Sequence, residues 1–236
     1  MSDQSPPESE NVQLPLISII VDSYRNSDSL KYCLDSIKQQ DYLQKLVIVI
    51  VNDGEKTSDL DYLKSYFTSP LIKDDKPAPL DVPNDIYKVN EGGINFGIIS
   101  LLKNCWDSNK RRQIGINACY GYSAVFGFLN GNESYFDSTI ISRAVIKFLE
   151  SPEAIGLVVG DFLNIYYKEN IENPTKKIPQ IGKYNDSYFI SKLFYEKIEK
   201  QLPNNNNLPQ IVQRGIISTI PDICHNVFIK EKDYLI

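Results

Sequence analysis

Residues 17–54 read ISIIVDSYRNSDSLKYCLDSIKQQDYLQKLVIVIVNDG. Two short apolar runs rich in β-branched residues, 16–21 and 46–51, bracket this stretch. Each is too short for a helix and suits a strand covered on both faces. Between them Ser27, Asp28 and Ser29 offer N-caps. Leu30, Cys33, Leu34 and Ile37 then recur at the spacing of one helical face. Strand, helix and strand with short connections make a βαβ unit, and hence an α/β fold with a mostly parallel central sheet flanked by helices. The second strand runs into Asn52-Asp53-Gly54, a turn signal.

Outward from this unit, residues 59–67 suit a helix. Residues 68–85 read as a loop, broken by Pro70, Pro77, Pro79 and Pro83. A strand is expected over 86–89, helices over 92–106 and 111–119, and a buried strand over 123–129. A helix capped by Ser138 follows over 139–149. Residues 155–166 are strand-rich but interrupted at Gly160 and Asp161. Residues 186–201 read as helix, 204–207 as a polar loop and 227–229 as a late strand, while 211–220 fit neither pattern cleanly.

The chain of 236 residues is long enough to bury a core, and 42% hydrophobic with 23% charged residues is ordinary for a soluble globular protein. A formal charge of −5 offers no basic field to nucleic acid. No apolar run reaches bilayer length, so no transmembrane segment is expected. Residues 1–15 are polar and proline-rich, which suits a disordered tail and not a secretory signal. The four cysteines are widely spaced and suit reduced thiols in a cytoplasmic protein. A lone histidine, His225, leaves no multi-histidine zinc site.

Ligands of open α/β sheets bind outside the carboxyl ends of the strands. Three polar groups are expected there: Asp22-Ser23-Tyr24-Arg25, Asn52-Asp53-Gly54 and Asn130-Gly131-Asn132-Glu133. They read either as a small-ligand cleft or as solvated turns. Lys110-Arg111-Arg112 reads either as a diphosphate contact or as a solvated helix end. No dinucleotide fingerprint and no P-loop is present, which disfavours a Rossmann oxidoreductase and a P-loop NTPase.

The residues ISIIVDSYRNSDSLKYCLDSIKQQDY and VIVIVNDG resemble the opening of family 2 glycosyltransferases of the GT-A fold. RRQIGINACYGYSAVFGFLNGNESYF is similar to that family's R-N-x-G-to-D-x-D segment, and the resemblance runs over residues 16–166. It implies a nucleotide-diphospho-sugar transferase core there, with 167–236 as an acceptor-side segment of the same domain. It implies donor binding, to a UDP-sugar above all, by Ser23, Tyr24, Asp53, Arg112 and Asn130. Asn130 and Asn132 stand at the two aspartates of D-x-D, and Glu133 at the acid after them. Asn132 and Glu133 are therefore the metal-ligand candidates for Mn²⁺ or Mg²⁺. Amide oxygens bring no net charge against a hard cation, so metal dependence is expected to be weakened or altered. Asp22 and Arg25 replace the family's usual proline and asparagine. The family's E-D pair is missing, and Glu196 and Asp222 are the acids carried forward as catalytic base, with Glu199 beside them.

The leading expectation is thus an inverting glycosyltransferase that acts on a glycan, lipid or protein acceptor. It would be cytoplasmic or peripheral to a membrane, with a partner subunit or adjoining domain completing the acceptor side. The alternative is a catalytically inactive member that binds nucleotide-sugar or serves as a scaffold. A nucleotidyltransferase is a third option, disfavoured because no glycine-rich basic loop follows the first strand.

Overall fold

β1 (Ile17–Ser23), α1 (Ser27–Lys38) and β2 (Leu46–Asp53) form the βαβ unit, with β1 and β2 parallel from Ile17 opposite Leu46 to Ser23 opposite Asn52. Leu30, Cys33, Leu34 and Ile37 of α1 are all fully buried. Burying each such side chain contributes about 1.5–3 kcal/mol. The computed structural model describes residues 14–24, 27–42, 45–53, 58–75, 83–103, 105, 108–135, 138–150, 157–159, 162–169, 177–183, 188–192, 195–196 and 228–229.

After β2 come α2 (Ser58–Tyr66), β3 (Ile72–Asp74), β4 (Asn84–Glu91), β5 (Ile94–Leu101), α3 (Ser108–Cys119), β6 (Val125–Asn130), β7 (Glu133–Tyr135) and α4 (Ile140–Glu150). β8 (Leu157–Val159), β9 (Phe162–Glu169), β10 (Lys177–Lys183), β11 (Tyr188–Ser191) and β12 (Phe228–Ile229) complete the described elements. Nine strands form one sheet in the order β12-β8-β11-β6-β1-β2-β5-β4-β3. Its centre, β6-β1-β2-β5, is parallel, while β4, β3 and β11 join antiparallel to their neighbours. A second sheet, β10-β9-β7, begins at the turn after β6.

Alternate strand residues divide the core between two faces. Ile19, Val21, Ile48, Ile50, Phe96 and Ile98 pack with α1, α2 and α4. Ile20, Val49, Val51, Ile99 and Phe128 pack with α3. α3 comes close because residue 115 is glycine. A Cβ there would collide with the Ile20 side chain and lie 3.3 Å from Val51 Cγ2.

Three expectations are corrected. Residues 92–106 do not form a helix. Gly92 and Gly93 take φ of 60° and 84°, the left-handed pair of a type I′ turn, and β4 and β5 close on it as a hairpin with Glu91 opposite Ile94. The paired glycines and the alternation of 94–101 outweigh the weak helical period. The stretch 68–85 is not all loop, since Ile72–Asp74 forms the β3 edge strand against β4. Residues 188–191 of the expected helix over 186–201 are strand β11, inserted between β6 and β8. The Tyr-Phe-Ile run favours that half-buried pleated setting. The readings at 204–207 and 211–220 lie outside the described residues.

Candidate functional site

The parallel strands β1, β2 and β6 end side by side, at Ser23, Asp53 and Asn130. The first turns of α3 stand over these ends. Arg111 Nε and Nη2 donate to the two carboxylate oxygens of Asp22, the second at 3.1 Å, and Arg111 Nη1 donates to Asp53 Oδ2 at 3.1 Å. All three residues are buried, with Arg111 6%, Asp22 3% and Asp53 4% exposed. Burial alone would lower the Arg111 pKa, but the hydrogen bond and charge of Asp22, then the charge of Asp53, raise it above its ordinary value. Ser108 Oγ adds a hydrogen bond to Asp22 Oδ2.

Asp53 has a second partner. Its Oδ1 accepts from the Cys105 backbone N–H at 2.8 Å, and the Cys105 carbonyl accepts from Arg111 Nη1. Ser23 Oγ donates to Asp59 Oδ2 at 2.8 Å, so it braces the start of α2. The Tyr24 ring lies 5.6 Å from the Arg111 guanidinium carbon, within cation–π reach.

The turn after β6 is organised by its own side chains. Glu133 is fully buried and accepts from the Asn130 backbone N–H and from Asn130 Nδ2, both at 2.7 Å. Arg112 Nη2 donates to Asn130 Oδ1 at 3.0 Å. The amide of Asn130 thus donates to a carboxylate and accepts from a guanidinium, which neither aspartate nor leucine can do. Gly131 N–H donates to the Asp22 carbonyl at 2.8 Å and ties the turn back to β1.

This donor set does not fit a divalent cation. Glu133 spends both oxygens on Asn130, and Asn130 and Asn132 bring no charge. Asp22 and Asp53 are already bridged by Arg111. Among the described residues no three histidine, cysteine, aspartate or glutamate side chains are grouped to hold a metal.

Of the expected site residues, Ser23, Tyr24, Asp53, Arg112, Asn130, Asn132 and Glu133 all stand at the strand ends. Glu196 does not. Lys192 N–H donates to the Ala124 carbonyl at 2.9 Å, and Ser191 pairs with Val125, so this segment leaves from the amino end of β6. There Glu196 accepts from Tyr120 Oη at 2.7 Å. The length of β6 separates it from Asn130, about 16 Å at ~3.3 Å per residue. Asp222 and Glu199 lie outside the described residues. Sequence reasoning missed the role of Arg111 and Asp22. The signal was an acid in place of the usual proline together with an arginine one residue before Arg112.

A cavity of about 600 Å³ lies elsewhere, on the α3 face of β2, β5, β4 and β3, between Val47, Val49, Ile86, Ile99 and Tyr122. It is mostly apolar, with Asp74, Lys88, Asn90 and Asn95 also in its lining, and lies away from the strand-end cluster. Among the described residues no helix is long and apolar enough to cross a membrane.

The family model for glycosyl transferase family 2 matches residues 18–78, from β1 through β3. No curated protein matches the chain in sequence. Among solved structures, S. aureus TarS 1-349 in complex with UDP is similar at 15% identity and a TM-score of 0.44, over 58% of this chain and 33% of that one. Mannosyltransferase PcManGT from Pyrobaculum calidifontis, solved with GDP-Man and Mn²⁺, is similar at 14% identity and a TM-score of 0.45, over 62% and 35%. The 4-diphosphocytidyl-2C-methyl-D-erythritol synthase from Anaerococcus prevotii is similar at 12% identity and a TM-score of 0.46, over 86% and 85%. The chain thus spans about a third of the length of TarS 1-349 and of PcManGT. It is with glycosyl transferase family 2 that the βαβ opening, within residues 18–78, finds its match.

Proposed function

We propose that this chain is a nucleotide-sugar transferase that moves a sugar from a UDP-sugar to a glycan, lipid or protein acceptor. Residues 16–166 form its donor side and 167–236 its acceptor side. One observation carries the reading. In a chain that matches family 2 over residues 18–78, two consecutive arginines tie three strand ends together, Arg111 at Asp22 and Asp53, and Arg112 at Asn130. Asp53 supplies the acceptor for a nucleoside N–H or hydroxyl. Arg112 brings positive charge to the Asn130 turn, where a leaving diphosphate needs it. Mn²⁺ or Mg²⁺, where used, would supply that same charge, but the buried Glu133 and the two asparagines make a poor cage for either.

A second reading is favoured by a specific observation. Both oxygens of Asp53 and both oxygens of Glu133 are engaged within the protein, and Glu196 stands at the wrong end of β6. A non-catalytic subunit that binds nucleotide-sugar would show the same features.

The test is a panel of nucleotide sugars, with Mn²⁺ or with EDTA, read by thermal shift and by donor hydrolysis. Hydrolysis that persists in EDTA is the expected result. A thermal shift without turnover moves the assignment to the binding subunit, and no shift with any nucleotide overturns both readings.

A further inference from the structure

The Cys105 backbone occupies Asp53 and Arg111 together. Its N–H meets Asp53 Oδ1 at 2.8 Å and its carbonyl meets Arg111 Nη1, while Arg111 Nη1 also holds Asp53 Oδ2 at 3.1 Å. One residue therefore shows a donor beside an acceptor to a carboxylate beside a guanidinium. The edge of a nucleobase presents the same pair, a ring or exocyclic N–H next to a carbonyl or ring nitrogen. Carboxylates only accept and guanidinium only donates, so this pair reads such an edge in one orientation.

We propose that Arg111 and Asp53 together form a nucleobase-reading pair, and that the Cys105 peptide is its internal occupant, displaced when a nucleotide binds. This rests on the nucleotide-sugar reading above and adds to it a second base-contacting residue and a competing backbone segment. The occupant lies on the outside of the cluster. Cys105 is half-buried at the rim of the α3-side core, and Leu102 and Lys103 before it are exposed, so its peptide can turn away with only one partly buried side chain to move. Arg111 and Asp53 stay in place, because Asp22 grips Arg111 from the other side. A site filled by its own chain binds ligand more weakly by the fraction of time it stands open.

The Cys105 thiol reports the displacement. Cys33 and Cys119 are buried, and burial pushes the Cys119 thiol up to about 11, so neither competes for an alkylating reagent. The experiment uses the full chain with UDP, GDP, CDP and ADP. It measures iodoacetamide labelling of the Cys105 peptide in the wild type by mass spectrometry, and affinity by calorimetry for wild type and for Cys105→Pro, which lacks the N–H given to Asp53. The expected result is faster labelling of Cys105 with the diphosphate that binds, and affinity about ten-fold tighter in Cys105→Pro. Equal affinity in both proteins, or Cys105 labelling unchanged or slowed by a bound nucleotide, overturns the internal occupant and leaves the nucleotide reading standing. No binding to either protein overturns both. Should Cys105→Pro fail to fold, labelling of the wild type decides alone.

Discussion

Arg111 meets Asp22 side-on, with Nε and Nη2 each donating to a different carboxylate oxygen, and turns its remaining nitrogen to Asp53. The cluster of one guanidinium and two carboxylates is nine-tenths buried or more. Breaking a buried pair costs more than the pair contributes, because the partner's charge stays behind. Arg111→Met leaves two buried carboxylates without their cation, so a loss of about 3–5 kcal/mol is expected in urea unfolding. Asp22→Asn removes one of two acids and leaves Arg111 balanced by Asp53, so a clearly smaller loss is expected. An equal cost for the two variants would contradict this charge count.

Asn130 stands between Arg112 and Glu133, with its amide oxygen at 3.0 Å from one and its amide nitrogen at 2.7 Å from the other. Asn130→Asp would put an acid where the turn resembles a D-x-D motif, but it would also set a second carboxylate against the fully buried Glu133. A loss of about 1–3 kcal/mol at neutral pH is expected, for one lost donor and one repulsion. The pH dependence has a definite sign. A carboxyl whose folded-state pKa is raised stabilises the fold below that pKa and loses this as pH rises through it. The deficit of Asn130→Asp relative to wild type should therefore shrink on acidification, as one of the two carboxyls takes a proton. Unfolding curves from pH 4 to 8 check it, and a constant deficit refutes the facing-carboxylate account.

Glu91 ends β4 and accepts from the Thr68 backbone N–H at 3.3 Å, Thr68 Oγ1 at 2.9 Å and the Ser69 backbone N–H at 3.2 Å. Desolvation works against its charge, yet these hydrogen bonds and then Lys38 hold its pKa below the ordinary carboxylate value. A lowered carboxyl pKa contributes stability above the unfolded pKa and loses it as pH falls through the folded one. Glu91→Gln is expected to unfold earlier than wild type at pH 7, with the two curves converging below about pH 4. Curves that stay parallel through the acid range would show that Glu91 acts by packing alone.

Two strand glycines should respond in opposite ways. A Cβ on Gly97 would meet nothing within 4 Å, since it points into the open cavity on the α3 face. Gly97→Val is expected to be neutral or to stabilise by up to about 1 kcal/mol, through chain stiffening and β-propensity. A Cβ on Gly127 would stand 2.6 Å from Ile19 Cδ1 and 2.7 Å from Phe189 Cε1. Gly127→Ala is expected to cost about 1–3 kcal/mol by overpacking. Melting temperatures of the two variants give the comparison directly.

The βαβ opening was legible because its buried residues repeat at strand and helix periods without a break. The strand-end positions of Asp53 and Asn130 were legible too, since a polar group after a buried strand has one place to go, whereas Arg112 was reached only through the family resemblance. Arg111 was not legible in this way. In sequence, Lys110-Arg111-Arg112 is a charged helix end, and only the close seat of α3 on Ile20 and Val51 turns the middle member inward. Asp22 carries the same lesson, because its partner is 89 residues away. The expected strand over 86–89 lies within β4, but the turn and β5 were misread as helix because the stretch after Gly92-Gly93 is apolar with mixed periods. Glu196 was misplaced for a related reason. Reading β11 as helix hid the reversal that carries the chain to the amino end of β6.

Gly115 gives the two arginines a shared mounting. Both sit in the opening turns of one helix, and at residue 115 that helix rests directly on the Ile20 and Val51 side chains, with no side chain of its own between. Arg111 faces the Asp22–Asp53 side and Arg112 faces the Asn130 turn. A slide or roll of α3 would move both guanidiniums at once and in a fixed ratio. The two halves of the strand-end cluster are geared together, so a disturbance at the Asp22–Asp53 half should be felt at the Asn130 turn.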